Sequence, residues 1–160
     1  MSAARKPPVN TKRGEPMILF AVGPHTFAIA ASEVDEIRDL HDLKPMQTAI
    51  GYNRVKSTIH RAKRDYFVVD ASAHFQMLPS RPARLLVLRH HPVAITADSI
   101  DKMTDVPSVL PLPVPFRGLE RAWYKGLAVL DGNVIPVVDP AAFLSESEAA
   151  ELRKKKGAAS

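Results

Sequence analysis

Two stretches of this chain are each written twice, in the same order, and no other feature narrows the possible folds as much. At an offset of 66, residues 18–39 match 84–105 at seven of 22 positions, among them Leu19/Leu85, His25/His91, Ile29/Ile95 and Asp35/Asp101. At an offset of 69, residues 56–75 match 125–144 at five of 20, and Val68-Val69-Asp70 meets Val137-Val138-Asp139. Composition alone gives roughly one or two identities in such a window. Two units of about 65 residues are too few for a solenoid, which needs three or more to bury a continuous face. The duplication is therefore expected to fold as two pseudo-equivalent units sharing one core. With 160 residues, 46% hydrophobic and 24% charged, the chain is large and apolar enough to bury it.

Each copy reads as β structure. "MILFAVGPHTFAIAA" is a strand, a Gly-Pro-His-Thr turn and a second strand, and "RLLVLRHHPVAITAD" repeats it with "RHHP" as the turn. "GLAVLDGNVIPVVD" carries a strong hairpin signal at Asp-Gly-Asn. Its counterpart "STIHRAKRDYFVVD" has the same length but no glycine, so a different turn is expected. Val34, Ile37 and Leu40, like Ile100, Met103 and Val106, are spaced by three, which leaves a helical turn and an irregular strand both open. Prolines at 107, 111, 113 and 115 force an extended crossing and forbid a central strand there. Leu19, Phe20, Phe27, Ile29, Val68, Leu86, Val93, Ile95, Val129 and Val137 are the expected core. The fold class is mainly β with short helices.

The two aspartates have two readings. A carboxylate dyad, one from each half, needs a glycine soon after each aspartate, and here Ala-Ser and Pro-Ala follow. Helix capping fits better, with Asp139 before Pro140 and Asp70 before a run of small residues. Ser145 and Glu148 stand at capping-box spacing, so a helix is expected over about 146–155 within a C-terminal segment 145–160.

Catalytic chemistry has little to stand on. There is no cysteine, which removes thiol nucleophiles and disulfides and fits a reducing compartment. The six histidines include no HExxH and no ligand spacing, and no phosphate loop or GxSxG occurs. No catalytic residue, cofactor, metal or small-molecule substrate is expected. Without an apolar h-region or a membrane-length run, a cytoplasmic location is the expectation. The net charge of +5 sits in the ends, residues 1–16 forming a basic tail without a hydrophobic pattern that is expected to be disordered. Between 54 and 64 lie Arg54, Lys56, Arg61, Lys63 and Arg64, with His60, Tyr52 and Tyr66 close by. A solvated edge strand explains this stretch, and a nucleic-acid-binding module using it and the tails is the alternative.

The segments "ILFAVGPHTFAIAASEVDEIRDL" and "YKGLAVLDGNVIPVVDPAAFL" resemble the opening hairpin and the glycine-to-aspartate run of the CheW-like domain family, over about residues 17–144. The resemblance implies two SH3-like five-stranded β-barrels sharing a hydrophobic centre, near 17–80 and 81–144, with exchange of terminal strands allowed. It also implies a non-catalytic adaptor that bridges a chemoreceptor to the regulatory domain of a histidine kinase. Ser57, His60, Ala62 and Lys63 stand where the family has glycine, asparagine, arginine and glycine. The family's arginine pairs with the glutamate that matches Glu36, so Arg61 or Arg64 substitutes for it only if the turn shifts register. Glu36, Ile37, His60, Arg61 and Ala62 are the residues implied for the receptor side. Leu127, Val129 and Pro136, in the second closing hairpin, are those implied for the kinase.

Overall fold

The computed structural model describes residues 14–42, 54–112 and 120–159, except the side chains of 42, 120, 121 and 155–159. Most of the basic tail, Tyr52 and the prolines at 113 and 115 lie outside the described residues. The first half contributes β1 (Glu15–Val22), β2 (His25–Ala30), β3 (Val34–Asp39), β4 (Val55–Arg61), β5 (Arg64–Val69) and α1 (Ala71–His74). The second contributes β6 (Arg84–Leu88), β7 (Val93–Ala97), β8 (Ser99–Val106), β9 (Val109–Leu110), α2 (Glu120–Trp123), β10 (Tyr124–Leu130), β11 (Asn133–Val138) and α3 (Glu146–Ala159).

The strands form two sheets, ordered β8-β1-β2-β11-β10-β9 and β3-β6-β7-β5-β4. Translated through the repeat, the first five strands of one order become the five of the other. Each sheet joins the opening hairpin of one half to the closing hairpin of the other through a parallel pair. Val137 lies beside Ala28 in one sheet, and Val68 beside Ala94 in the other, which are equivalent registers. Each sheet therefore takes strands from both sides of residue 80. The likeness extends to irregularities: pairing slips between Val55 and Ser57 in β4, and between the matching Tyr124 and Gly126 in β10.

Burial follows from this exchange. The central cluster, with Phe20, Ile29, Val69, Leu86, Ile95 and Val138, lies between the sheets. Met17, Leu19, Ala28, Val106, Ala128, Ile135 and Val137 fill one outer cluster, and Ile59, Tyr66, Val68, Leu85, Val87 and Ala94 fill the other. Successive residues Tyr66, Phe67, Val68 and Val69 thus alternate between an outer and the central cluster, so a continuous apolar run is needed. Each such side chain contributes about 1.5–3 kcal/mol on burial. Val129 departs from the expected core. Strand alternation turns the adjacent Ala128 inward and leaves Val129 46% exposed.

The residues spaced by three form strands, not helices. In β3 the pairing to β6 passes from Val34 to Glu36, leaving Asp35 as a bulge. One extra residue resets the alternation, so Val34 and Ile37 both reach the central cluster. In β8 the pairing skips Asp101, the repeat equivalent of Asp35. Met103 nevertheless stays 64% exposed. Among its described residues the proline-rich crossing forms β9, a two-residue edge strand.

Both aspartates are N-caps. Asp70 Oδ1 accepts from Ser72 N–H at 3.1 Å, and Asp139 Oδ1 accepts from Ala141 N–H at 3.0 Å, ahead of a 3₁₀ turn at Pro140–Ala142. The backbone before each cap repeats as well, with Asp70 N–H donating to Arg54 O and Asp139 N–H to Trp123 O. At α3 the capping box is reciprocal: Ser145 N–H donates to Glu148 Oε1 at 2.9 Å, and Glu148 N–H to Ser145 Oγ at 3.0 Å. Ala149 and Leu152 bury the helix on the central cluster.

Two contrasts with the repeat matter energetically. The β10–β11 turn places Asp131 and Gly132 at φ of 51° and 81°, the pattern of a two-residue primed hairpin. The β4–β5 turn holds the same shape with Ala62 at 48° and Lys63 at 65°, residues that enter the left-handed region only at a cost of about 1–2 kcal/mol each. Replacing Ala62→Asn and Lys63→Gly together is expected to raise stability by about 1–2 kcal/mol in denaturant titration, with an unchanged slope.

His74 is the second contrast. It lies against its own repeat equivalent, Phe143, with ring centroids 4.4 Å apart, and Trp123 and Phe75 also flank it. Burial, helped by the Arg54 cation and opposed by Glu148, pushes its pKa down to about 4. A histidine depressed this way withholds a proton that the unfolded chain accepts from pH 6.5 downward. Stability is therefore expected to fall by roughly 3 kcal/mol as pH drops from 7 to 4. In His74→Phe that loss should shrink to the carboxylate contribution below pH 4.5, measured by urea titration at successive pH values.

Candidate functional site

The clearest polar construction closes one sheet. β3 and β4 are its two edge strands, yet Arg61 Nε donates to Glu36 Oε1 at 2.8 Å and Arg61 Nη2 to Glu36 Oε2 at 3.1 Å. A two-pronged ion pair thus links the two edge strands of the five-stranded sheet by their side chains. Arg61 follows Ile59 by two residues and shares its inward face, while Glu36 stands beside Val87 of the same outer cluster. The Arg61 hydrogen bond lowers the Glu36 pKa against a smaller opposing effect of burial, and Glu36 in turn raises Arg61. The partner of Glu36 is thus Arg61, one position before Ala62. Ala62 is spent in the turn, exposed and with positive φ.

The other residues implied for this side are distributed around it. His60 points to the opposite face from Arg61 and pairs with Asp65 at 2.8 Å. Ile37 is half-buried against the central cluster, on the far side of β3 from Glu36. The basic stretch is largely engaged: Arg54 with Glu148 at 2.6 Å, Lys56 with Asp70 at 3.7 Å, Arg61 with Glu36. Arg64 donates to Arg89 O at 3.4 Å and lies 5.3 Å from the Tyr66 ring centroid. For Glu148, burial raises the pKa, but hydrogen bonds from Ser145 and Arg54 outweigh it and hold the carboxyl below its usual range.

The second barrel is rolled by a different device. β8 runs through Pro107 and Ser108 into β9, which pairs with β10 at the opposite edge. Pairing aligns Leu110 with Leu127, Leu127 with Pro136, and Val129 with Val134. These side chains share the outward face, and Leu110, Val129 and Val134 are 48%, 46% and 60% exposed. Leu127 and Pro136 between them are half-buried. Apolar side chains grouped on an exposed face are a feature of surfaces that bind other molecules. Leu110 and Val134 belong to the patch without having been singled out in the sequence. Val134 was accessible from the alternation with Ile135, whereas Leu110 gains its neighbours only through barrel closure.

Asp70 and Asp139 are occupied as caps, and no three His, Asp or Glu among the described residues converge on a metal-sized site. No described helix is long and apolar enough to cross a membrane. The surfaces suit binding.

No curated protein sequence matches the chain significantly. Among solved structures, it is similar to the scaffolding protein TtCheW from Thermoanaerobacter tengcongensis, with a TM-score of 0.73 at 14% identity over 83% of this chain and 94% of that one. At that identity the likeness establishes the fold. The family model of the CheW-like domain matches residues 16–148, most of the chain and both halves of the repeat. With its paired sheets, equivalent parallel registers and shared centre, this chain belongs to the CheW-like domain family.

Proposed function

We propose that this protein is a non-catalytic adaptor of chemotaxis-type signal transduction, coupling a chemoreceptor to a CheA-type histidine kinase through protein contacts alone. The observation that carries the proposal is the apolar face of Leu110, Leu127, Val129, Val134 and Pro136 on the second barrel. It suits a stable partner, because apolar contacts dominate interface energy while surrounding charge sets the choice of partner. We assign that face to the regulatory domain of the kinase. The receptor side is the mouth of the first barrel, where Glu36 and Arg61 present a fixed ion pair beside His60 and Ala62, with Ile37 supporting β3 from behind.

Two measurements test the two halves separately. With a CheA regulatory domain titrated by calorimetry, the double variant Val129→Glu, Val134→Glu should bind at least about 30-fold more weakly, as loss of a central apolar anchor does. Absence of binding by the folded wild-type protein overturns the kinase assignment. With a receptor cytoplasmic fragment, Arg61→Ala is expected to weaken binding about tenfold while the kinase affinity stays the same. Unchanged receptor binding in Arg61→Ala and Glu36→Ala alike would remove the receptor assignment.

A further inference from the structure

The repeat shows what the first barrel has at its mouth and the second lacks. Glu36 and Arg61 correspond, at offsets 66 and 69, to Lys102 and Leu130. Lys102 stands beside Leu19, two residues along β1 from Ala21, the equivalent of the Val87 that flanks Glu36, so the edge strand has shifted in register, and Leu130 packs against the outer cluster that holds Leu19. The edge strand that carries the carboxylate in one barrel thus carries a cation in the other, and the facing position is apolar. Lys102 is exposed and has no ion pair among the described residues.

Lys102 and Leu130 sit at the margin of a groove of about 730 Å³. That size lies within the roughly 300–1,000 Å³ of clefts that take a specific ligand. Its floor joins two cores, Leu19 and Ile135 from the outer cluster and Phe27, Phe75 and Tyr124 from the central one. The three rings form a near-parallel stack, Phe27 and Phe75 at 4.4 Å and Phe75 and Tyr124 at 5.9 Å. Val134 and Pro136 line the groove and belong to the exposed apolar face, so the groove runs into that face without a break. Asp131 stands on the rim one residue beyond Leu130.

We infer that this groove is a docking site for a protein segment that presents a single carboxylate beside large apolar side chains. The carboxylate pairs with Lys102, the exposed cation at the groove's margin. The apolar side chains lie on Leu130 and the aromatic stack, where ring contacts favour aromatic and leucine residues. Asp131 disfavours a run of acidic groups, which excludes polyanions and selects a lone acid. Continuity with the exposed face points to an extended partner and not to a small molecule. The groove shares Val134 and Pro136 with the face assigned to the kinase, so the segment is expected to compete with a partner bound there, and the inference rests on the groove's own chemistry and not on the adaptor reading.

A display library of random 16-residue peptides, selected on the immobilised full chain, tests it. Enriched sequences should carry one Asp or Glu next to Phe, Leu or Trp, and the leading synthetic peptide should shift the NMR signals of Phe75 and Tyr124. Lys102→Glu should weaken that peptide about tenfold, and exchanging the peptide's acid for lysine should recover affinity for the variant. Lys102 is exposed, so the variant should keep its circular dichroism and its affinity for a CheA regulatory domain. No enrichment, enrichment without an acid, indifference to Lys102→Glu, or signals shifted only around Arg61 would each overturn the inference. If the peptide binds as described while kinase and receptor fragments do not bind at all, the adaptor reading falls and the docking site stands.

Discussion

The two parallel contacts between opening and closing hairpins, β2 with β11 and β5 with β7, hold the rest of the molecule in place. Each buries strands whose two faces are both apolar, one toward an outer cluster and one toward the centre. A hairpin with two apolar faces cannot stand alone in water, because one face always remains exposed. The exchange solves that problem twice with the same registers. It also sets the positions of the caps, since Asp70 and Asp139 end the very strands, β5 and β11, that make the parallel contacts.

Around that shared centre the two barrels have diverged where partners can reach them. One barrel's edges are drawn together by a guanidinium–carboxylate fork, the other's by a proline corner and a short extra strand. The first device leaves a charged mouth and the second an apolar, partly open one. Val68/Val137 and Ala28/Ala94 are identical at the contact itself, whereas Glu36/Lys102 and Arg61/Leu130 differ. The strained Ala62-Lys63 turn fits this division. It sets Arg61 inward toward Glu36, a placement the family ordinarily reaches from the next residue along.

Much of this was legible in the sequence where the signals are local. Hairpins followed from Gly-Pro and Asp-Gly punctuation, the caps from Asp-Pro and Ser145 with Glu148, and the pairing of the halves from their identities. Parallel contacts leave no local mark, so apolar runs such as Tyr66–Val69 announced burial but not the neighbour. The bulge at Asp35 gave β3 a spacing of three that also suited a helix. Val129 reads as core because its hydrophobicity is visible in the sequence, whereas the face it takes is set by the strand register. Of the proposed surfaces, Glu36, Arg61, Leu127 and Pro136 were accessible through the family resemblance. Leu110 and Lys102 were not, since their surroundings exist only after the sheets roll.

The exchange of hairpins also dictates an order of events during synthesis. β2 meets β11 only when nearly the whole chain has left the ribosome, and until then its hydrogen-bonding edge and apolar faces are open. Distant pairings of this kind close slowly and leave sticky edges available meanwhile. A gene cut near residue 80 would yield two fragments that each lack strands of both sheets, so complementation in trans would require them to fold only upon each other.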